Sequence, residues 1–127
     1  MMNKSKQSIK LITRKPDLPE GTVEAVVREV NILKNCNTQY GQRDVVEIIY
    51  SIDQGNYEAK KAERIYESNS LNSRFIELVV EVYGYNWPDN PTFNEIIGRK
   101  CRLTIEHSYD LLGNAYANIV HRHFYKD

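Results

Sequence analysis

Residues 68–83 read SNSLNSRFIELVVEVY, and the placement of this stretch decides the fold. Its apolar residues Leu71, Phe75, Leu78, Val79 and Val82 fall at spacings of four, three, one and three, which lines one side of an α-helix and fits no strand. Ser68 or Ser70 supplies a cap for the helix start, and Gly84 supplies its stop. Trp87-Pro88 and Asn90-Pro91 then forbid resumption, because proline lacks an amide donor and restricts the residue before it.

Working outward, both flanks read as β-structure. Upstream, Asp17-Leu-Pro-Glu-Gly21 is a turn cluster, and residues 22–33 (TVEAVVREVNIL) are β-branched, with Val23, Ala25 and Val27 sharing one side. The polar stretch 34–43 (KNCNTQYGQR) reads as a loop. Residues 44–53 (DVVEIIYSID) follow as a strand with Val46, Ile48, Tyr50 and Ile52 on one face. After the turn Gln54-Gly55-Asn56, residues 57–67 have helix-favouring Ala, Lys and Glu, but their position past a tight turn favours a paired strand, and we read them so. Downstream, Phe93–Ile97 allows one short helical turn. Residues 99–107 (RKCRLTIEH) alternate, with Cys101, Leu103 and Ile105 on one side, and the turn at 110–114 hands over to a last strand at 115–124.

Three strands, a helix, a proline-bearing loop and two strands is the element order of the OB-fold, so the expected class is mainly β: a five-stranded, OB-fold-like barrel with one α-helix between strands three and four. A generic α+β sheet is the plainer alternative. Residues 1–8 (MMNKSKQS) read as a flexible basic arm, leaving 9–127 as one domain. A length of 127 residues with 41% apolar and 27% charged side chains suits a soluble globular chain with one core, which needs neither disulfides nor a structural metal. Cys36 and Cys101 stand far apart, with no leader before them and no ligand spacing around them, which points to reduced thiols and a cytoplasmic location. No apolar run reaches the roughly 20 residues a bilayer requires, so no membrane partner is expected.

Net charge is zero, but its distribution is uneven. Residues 1–16 hold five bases and no acid. Between 67 and 95, Glu67, Glu77, Glu81, Asp89 and Glu95 face only Arg74. Nine tyrosines against three phenylalanines favour amphipathic rings, and several stand beside cations: Tyr40 by Arg43, Tyr57 by Lys60 and Lys61, Tyr66 by Arg64, with Tyr109 and Tyr116 flanking the last turn. Single-stranded nucleic acid is held by cations on phosphates and by bases stacked on such rings, so Tyr40, Arg43, Tyr57, Lys60, Lys61, Arg64, Lys100, Arg102, Tyr109 and Tyr116 form the candidate interface. Alternation limits it: Lys100, Arg102 and Thr104 share the outward side, whereas Lys60 and Lys61 cannot share a face. Tyr50, Tyr83 and Tyr85 read instead as core or core-edge rings, and Trp87 as a plug beneath the helix.

The strings Leu18-Pro-Glu-Gly21, Tyr40-Gly-Gln-Arg43, Ile97-Gly-Arg-Lys-Cys101 and Gly113-Asn-Ala-Tyr-Ala-Asn-Ile119 together resemble a loose family of small phage and mobile-element proteins. That resemblance, over roughly residues 18–120, implies an OB-fold and single-stranded DNA binding in replication or recombination, with replication or recombination proteins as further partners. Phe124-Tyr-Lys-Asp127 is not the acidic tail through which bacterial single-strand-binding proteins recruit partners, so recruitment by that route is not expected. Near-zero net charge points to modest affinity or to several copies acting on one strand, a homo-oligomer. The competing reading is a protein-interaction module docking through the helix edge and Tyr83-Gly-Tyr-Asn-Trp87. Enzyme chemistry is not expected: His107, His121 and His123 lack acids at ligand spacing, no nucleophile or phosphate loop accompanies them, and no cofactor is implied.

Overall fold

A computed structural model describes residues 12–126. The basic arm expected at 1–8, and the start of order expected near Ile9, lie outside them. Among the described residues five strands form one antiparallel sheet: β1 (Gly21–Thr38), β2 (Gly41–Asp53), β3 (Glu58–Tyr66), β4 (Lys100–Tyr109) and β5 (Ala115–Phe124). A single α-helix, α1 (Arg74–Tyr83), lies between β3 and β4, with a 3-10 turn at Asn94–Ile96 after the proline loop. The sheet order is β3-β2-β1-β4-β5 and the sheet is open, with β3 and β5 as its two edges. The backbone ladder therefore forms no closed barrel.

One contiguous core lies on one side of this sheet. Val27, Ile48, Tyr50, Ile52, Leu103 and Ile105 are all buried there, and α1 adds Leu78 and Val79. The alternation of β2 and β4 carries through as expected. In β1 it is broken at Arg28, the extra residue between the pairs Val27–Tyr50 and Glu29–Ile49, after which Val30 and Ile32 take the core side.

The segment 34–43, expected as a loop, is mostly strand. Cys36 pairs with Arg43, Asn37 with Gln42 and Thr38 with Gly41, so only Gln39 and Tyr40 turn the chain. Backbone pairing needs no apolar face, and this polar arm projects past the end of β3. Asp44 fixes its root: its carboxylate accepts the Asn35 amide at 3.0 Å and Lys34 Nζ at 3.1 Å, which together hold its pKa below the usual range. Thr38 closes its tip by donating its hydroxyl to the Gly41 carbonyl at 2.7 Å.

The helix starts later than the serines at 68 and 70 suggest. Ser73 is the cap, its Oγ accepting the Ile76 amide at 3.2 Å, and Leu71 stays outside the stripe, exposed. Replacing Ser73 with alanine leaves that amide without its acceptor and should cost about 1 kcal/mol in urea unfolding. Gly84 ends the helix at φ 68°, where a side chain would be strained.

Candidate nucleic-acid interface

The ten candidate residues do not form one surface. Tyr40 caps the β1–β2 arm, Tyr57 the β2–β3 turn, and Tyr109 the end of β4; all three rings are exposed. Tyr40 and Tyr109 sit at opposite ends of β1, since the arm continues its C-terminal end while β4 runs past its first residue, Gly21. Arg43 turns to the helix side and donates Nη1 to the Glu67 carbonyl at 3.2 Å.

Register places Lys60, Ser51, Val26 and Lys100 in one row across the outer face of β3, β2, β1 and β4. Three strand spacings, about 14 Å, separate the two lysines. The ground between them is acidic: Glu24, Asp53 and Glu58 line the same shallow hollow as Lys100. Arg28 reaches Glu58 at 3.1 Å, and Arg102 reaches Glu24 at 3.4 Å while stacking on the Tyr125 ring at 5.8 Å. A phosphate on this face would meet carboxylates first.

The seam between the sheet edges is different. Lys61, Arg64 and Tyr116, three of the candidates, come together there with Arg14, Arg74 and Asn118 around a cleft of about 300 Å³. Arg14 stands over the Tyr116 ring at 5.1 Å, and the Tyr116 hydroxyl donates to Asp110 at 3.1 Å. Lys61 points to the core side and pairs with Asp17 at 3.1 Å, whereas Lys60 points out, as alternation requires. Arg64 pairs with Glu47 at 2.9 Å. Glu63, the one carboxylate lining the cleft among the described residues, is buried and already engaged. It takes Nε and Nη2 of Arg122 from β5 at 2.8 and 2.7 Å, the Tyr50 hydroxyl at 2.8 Å, and Nη2 of Arg74. Side chains thus join β3 to β5 where no ladder does. Burial, and then the charge of Glu63, push the Tyr50 hydroxyl pKa well up, so it stays a donor.

Arg14, Arg74, Glu63 and Arg122 were missed as site residues. Arg122 was hidden by a bulge: Thr104 pairs with His121 but Ile105 with Ile119, so Val120 is skipped and the alternation of β5 changes phase. Without that slip Arg122 would face water. Arg14 was counted as part of a basic terminus, yet its backbone is fixed, its amide donating to Asn114 Oδ1 at 2.6 Å.

Two further expectations change. Tyr85 is 89% exposed and not a core ring. Trp87 is 43% exposed and donates its indole N–H to the Gly84 carbonyl, lying along the helix rather than beneath it. His107 is half-buried, its ring Nε2 donating to the Leu18 carbonyl at 2.6 Å, while His121 and His123 are exposed. Cys101 is fully buried, and burial pushes its thiol up to about 12, which leaves it inert. Among the described residues no three His, Cys, Asp or Glu side chains are grouped to hold a metal ion, and no helix is long and apolar enough to cross a membrane. No family model matches the chain, and no curated protein is significantly similar to it.

Proposed function

We propose that the chain binds single-stranded DNA without sequence preference, its phosphates held at the β3–β5 seam and its bases stacked on exposed tyrosines. The observation that carries this reading is the cleft itself: four cations and a tyrosine converge on it, and its one carboxylate among the described residues is buried and already bonded to two guanidiniums. The pairs Lys61–Asp17 and Arg64–Glu47 each have one exposed partner. Such pairs contribute at most about 1 kcal/mol, so exchanging them for phosphates costs little. Five strands, a helix between the third and fourth, and an opening between β3 and β5 fit a partly open OB-type barrel, a fold that takes oligonucleotides. Work on single strands in phage or mobile-element replication or recombination follows from the resemblance noted in the sequence, and a cytoplasmic location from the two unpaired cysteines.

The test is fluorescence anisotropy with labelled oligo-dT of about 30 nucleotides, several site sizes long, against a duplex of equal length. Binding should be confined to the single strand, with a log–log salt slope of about −2 to −3 for three or four phosphate contacts. Arg14→Glu with Arg64→Glu should weaken binding at least about tenfold and lower the slope by about 0.7 per lost contact. Lys60→Glu with Lys100→Glu, on the outer face, should leave affinity within about a factor of two, well under 1 kcal/mol. No binding at tens of micromolar protein in low salt, or binding indifferent to salt, would overturn the reading.

A further inference from the structure

The β4–β5 turn, Asp110 to Asn114, carries Leu111 fully exposed and Leu112 79% exposed, beside the exposed ring of Tyr109. This is not a loose loop. Asp110 Oδ1 accepts the amides of Leu112 at 2.9 Å and Asn114 at 3.0 Å, and Oδ2 accepts Asn114 Nδ2 at 3.0 Å and the Tyr116 hydroxyl at 3.1 Å. The segment at Arg14 braces it, the Ala115 amide donating to the Arg14 carbonyl at 2.8 Å. A turn meant only to reverse the chain takes polar residues, whereas this one holds an apolar knob rigidly in water.

At the other end of β1 lies an apolar recess. Two adjoining hollows of about 410 and 360 Å³ run between α1, the proline loop and the root of the β1–β2 arm, sharing Glu67, Phe75, Asp89 and Pro91. Ile76, Val79 and Trp87 line the first, Ile32 and Val45 the second. The knob lies beyond the Gly21–Ile105 pair and the recess beside Ile32 and Lys34, so the length of β1 keeps a chain from filling its own recess.

Charge selects the occupant. Asp44, Glu67 and Asp89 line the recess against Lys34 and Arg43; Lys34 pairs with Asp44 and Arg43 donates to the Glu67 carbonyl, while the carboxylates of Glu67 and Asp89 have no cation partner among the described residues. Beside the knob stand Arg14 and Lys15, which have no carboxylate partner among the described residues, in a sixteen-residue stretch of five bases and no acid. We infer that the β4–β5 knob of one copy docks into the α1 recess of a second copy, joining chains head to tail. Knob and recess are different patches, so the contact is heterologous and leaves a free knob at one end and a free recess at the other.

Sedimentation velocity over rising protein concentration tests this without nucleic acid. The wild-type coefficient should keep climbing beyond that of a dimer. Leu111→Asp with Leu112→Asp should shift the onset of association at least about tenfold upward in concentration, with an unchanged melting temperature because both side chains are exposed. Ile76→Glu, in the recess, should do the same, and Trp87→Ala stands in for it should Ile76→Glu unfold. Mixed together, a knob variant and a recess variant retain one intact interface and should form dimers that grow no further. A wild type that stays monomeric, association that stops at two, a knob variant that associates like wild type, or a mixture that stays monomeric would each overturn the inference.

Discussion

Replacing Glu63 with leucine should lower the free energy of unfolding by about 3–5 kcal/mol, the cost of stripping one partner from a buried ion pair. The Arg122 side chain is 1% exposed and cannot turn to water, so without Glu63 its charge would stand unpaired in the core. The nearest other carboxylate, Glu77 Oε1, lies 3.8 Å from Arg122 Nη1, too far for a hydrogen bond. The Tyr50 hydroxyl, also buried, would lose its acceptor as well. Arg74 suffers less, being half exposed and still able to reach the Ile119 carbonyl at 3.0 Å. The loss belongs to breaking the pair and not to its net worth, and a second variant separates the two. Tyr50→Phe, Glu63→Leu and Arg122→Met combined put apolar groups of similar size in the same space and should recover most of the loss, because desolvation offsets much of what a buried pair gains. Urea unfolding of both variants decides: a single Glu63→Leu within about 1 kcal/mol of wild type would show that the seam does not depend on this cluster.

The same cluster marks where sequence reading stopped. Alternation in β2 and β4 was legible because one face is apolar over four or three successive positions, and the final strand was legible at the residues it occupies, 115–124. Bulges carry no such signal. Arg28 and Val120 each shift the phase of a strand by one residue, and the second shift puts Arg122 on the core side, where unbroken alternation would turn it to water. The polar arm escaped for a different reason: the pairing of Cys36 to Thr38 with Gly41 to Arg43 is held by backbone, and the irregular step at Lys34 and Asn35 by Asp44, neither of which requires apolar side chains.

For the site, residue types were legible and their assembly was not. Tyr116, Lys61 and Arg64 meet because β3 and β5, the two sheet edges among the described residues, face one another across the opening, a relation between strands some fifty residues apart. Lys100 and Arg102 have the alternation expected of them, yet Glu24 on the neighbouring strand answers Arg102 in a register the sequence does not display. Basic character read along a chain is therefore a weaker guide than the carboxylates set opposite it.

Phe93→Ala should be nearly as costly as the loss of Glu63, about 3–5 kcal/mol, by the removal of a buried aromatic ring. The ring is 1% exposed and meets Phe75 edge-on at 6.1 Å and Tyr83 at 5.7 Å, while its amide donates to the Tyr83 hydroxyl at 2.9 Å. These contacts pin the proline loop to α1, and that loop forms one wall of the recess beside the helix. Phe93 also sits at φ 61°, a left-handed conformation that a bulky residue adopts only when its surroundings impose it. Glycine tolerates that conformation and alanine does not. The usual order should therefore be inverted: Phe93→Gly should be more stable than Phe93→Ala by about 1 kcal/mol, although glycine normally costs more in the unfolded chain. Urea unfolding of both variants reads the difference directly. Alanine more stable than glycine would mean that the left-handed turn relaxes once the ring is gone, and that packing of the ring alone imposes it. In the expected order, the turn is set by the 3-10 segment that follows, where the Ile96 amide donates to the Phe93 carbonyl at 3.3 Å, and the wall of the recess keeps its shape without its anchor.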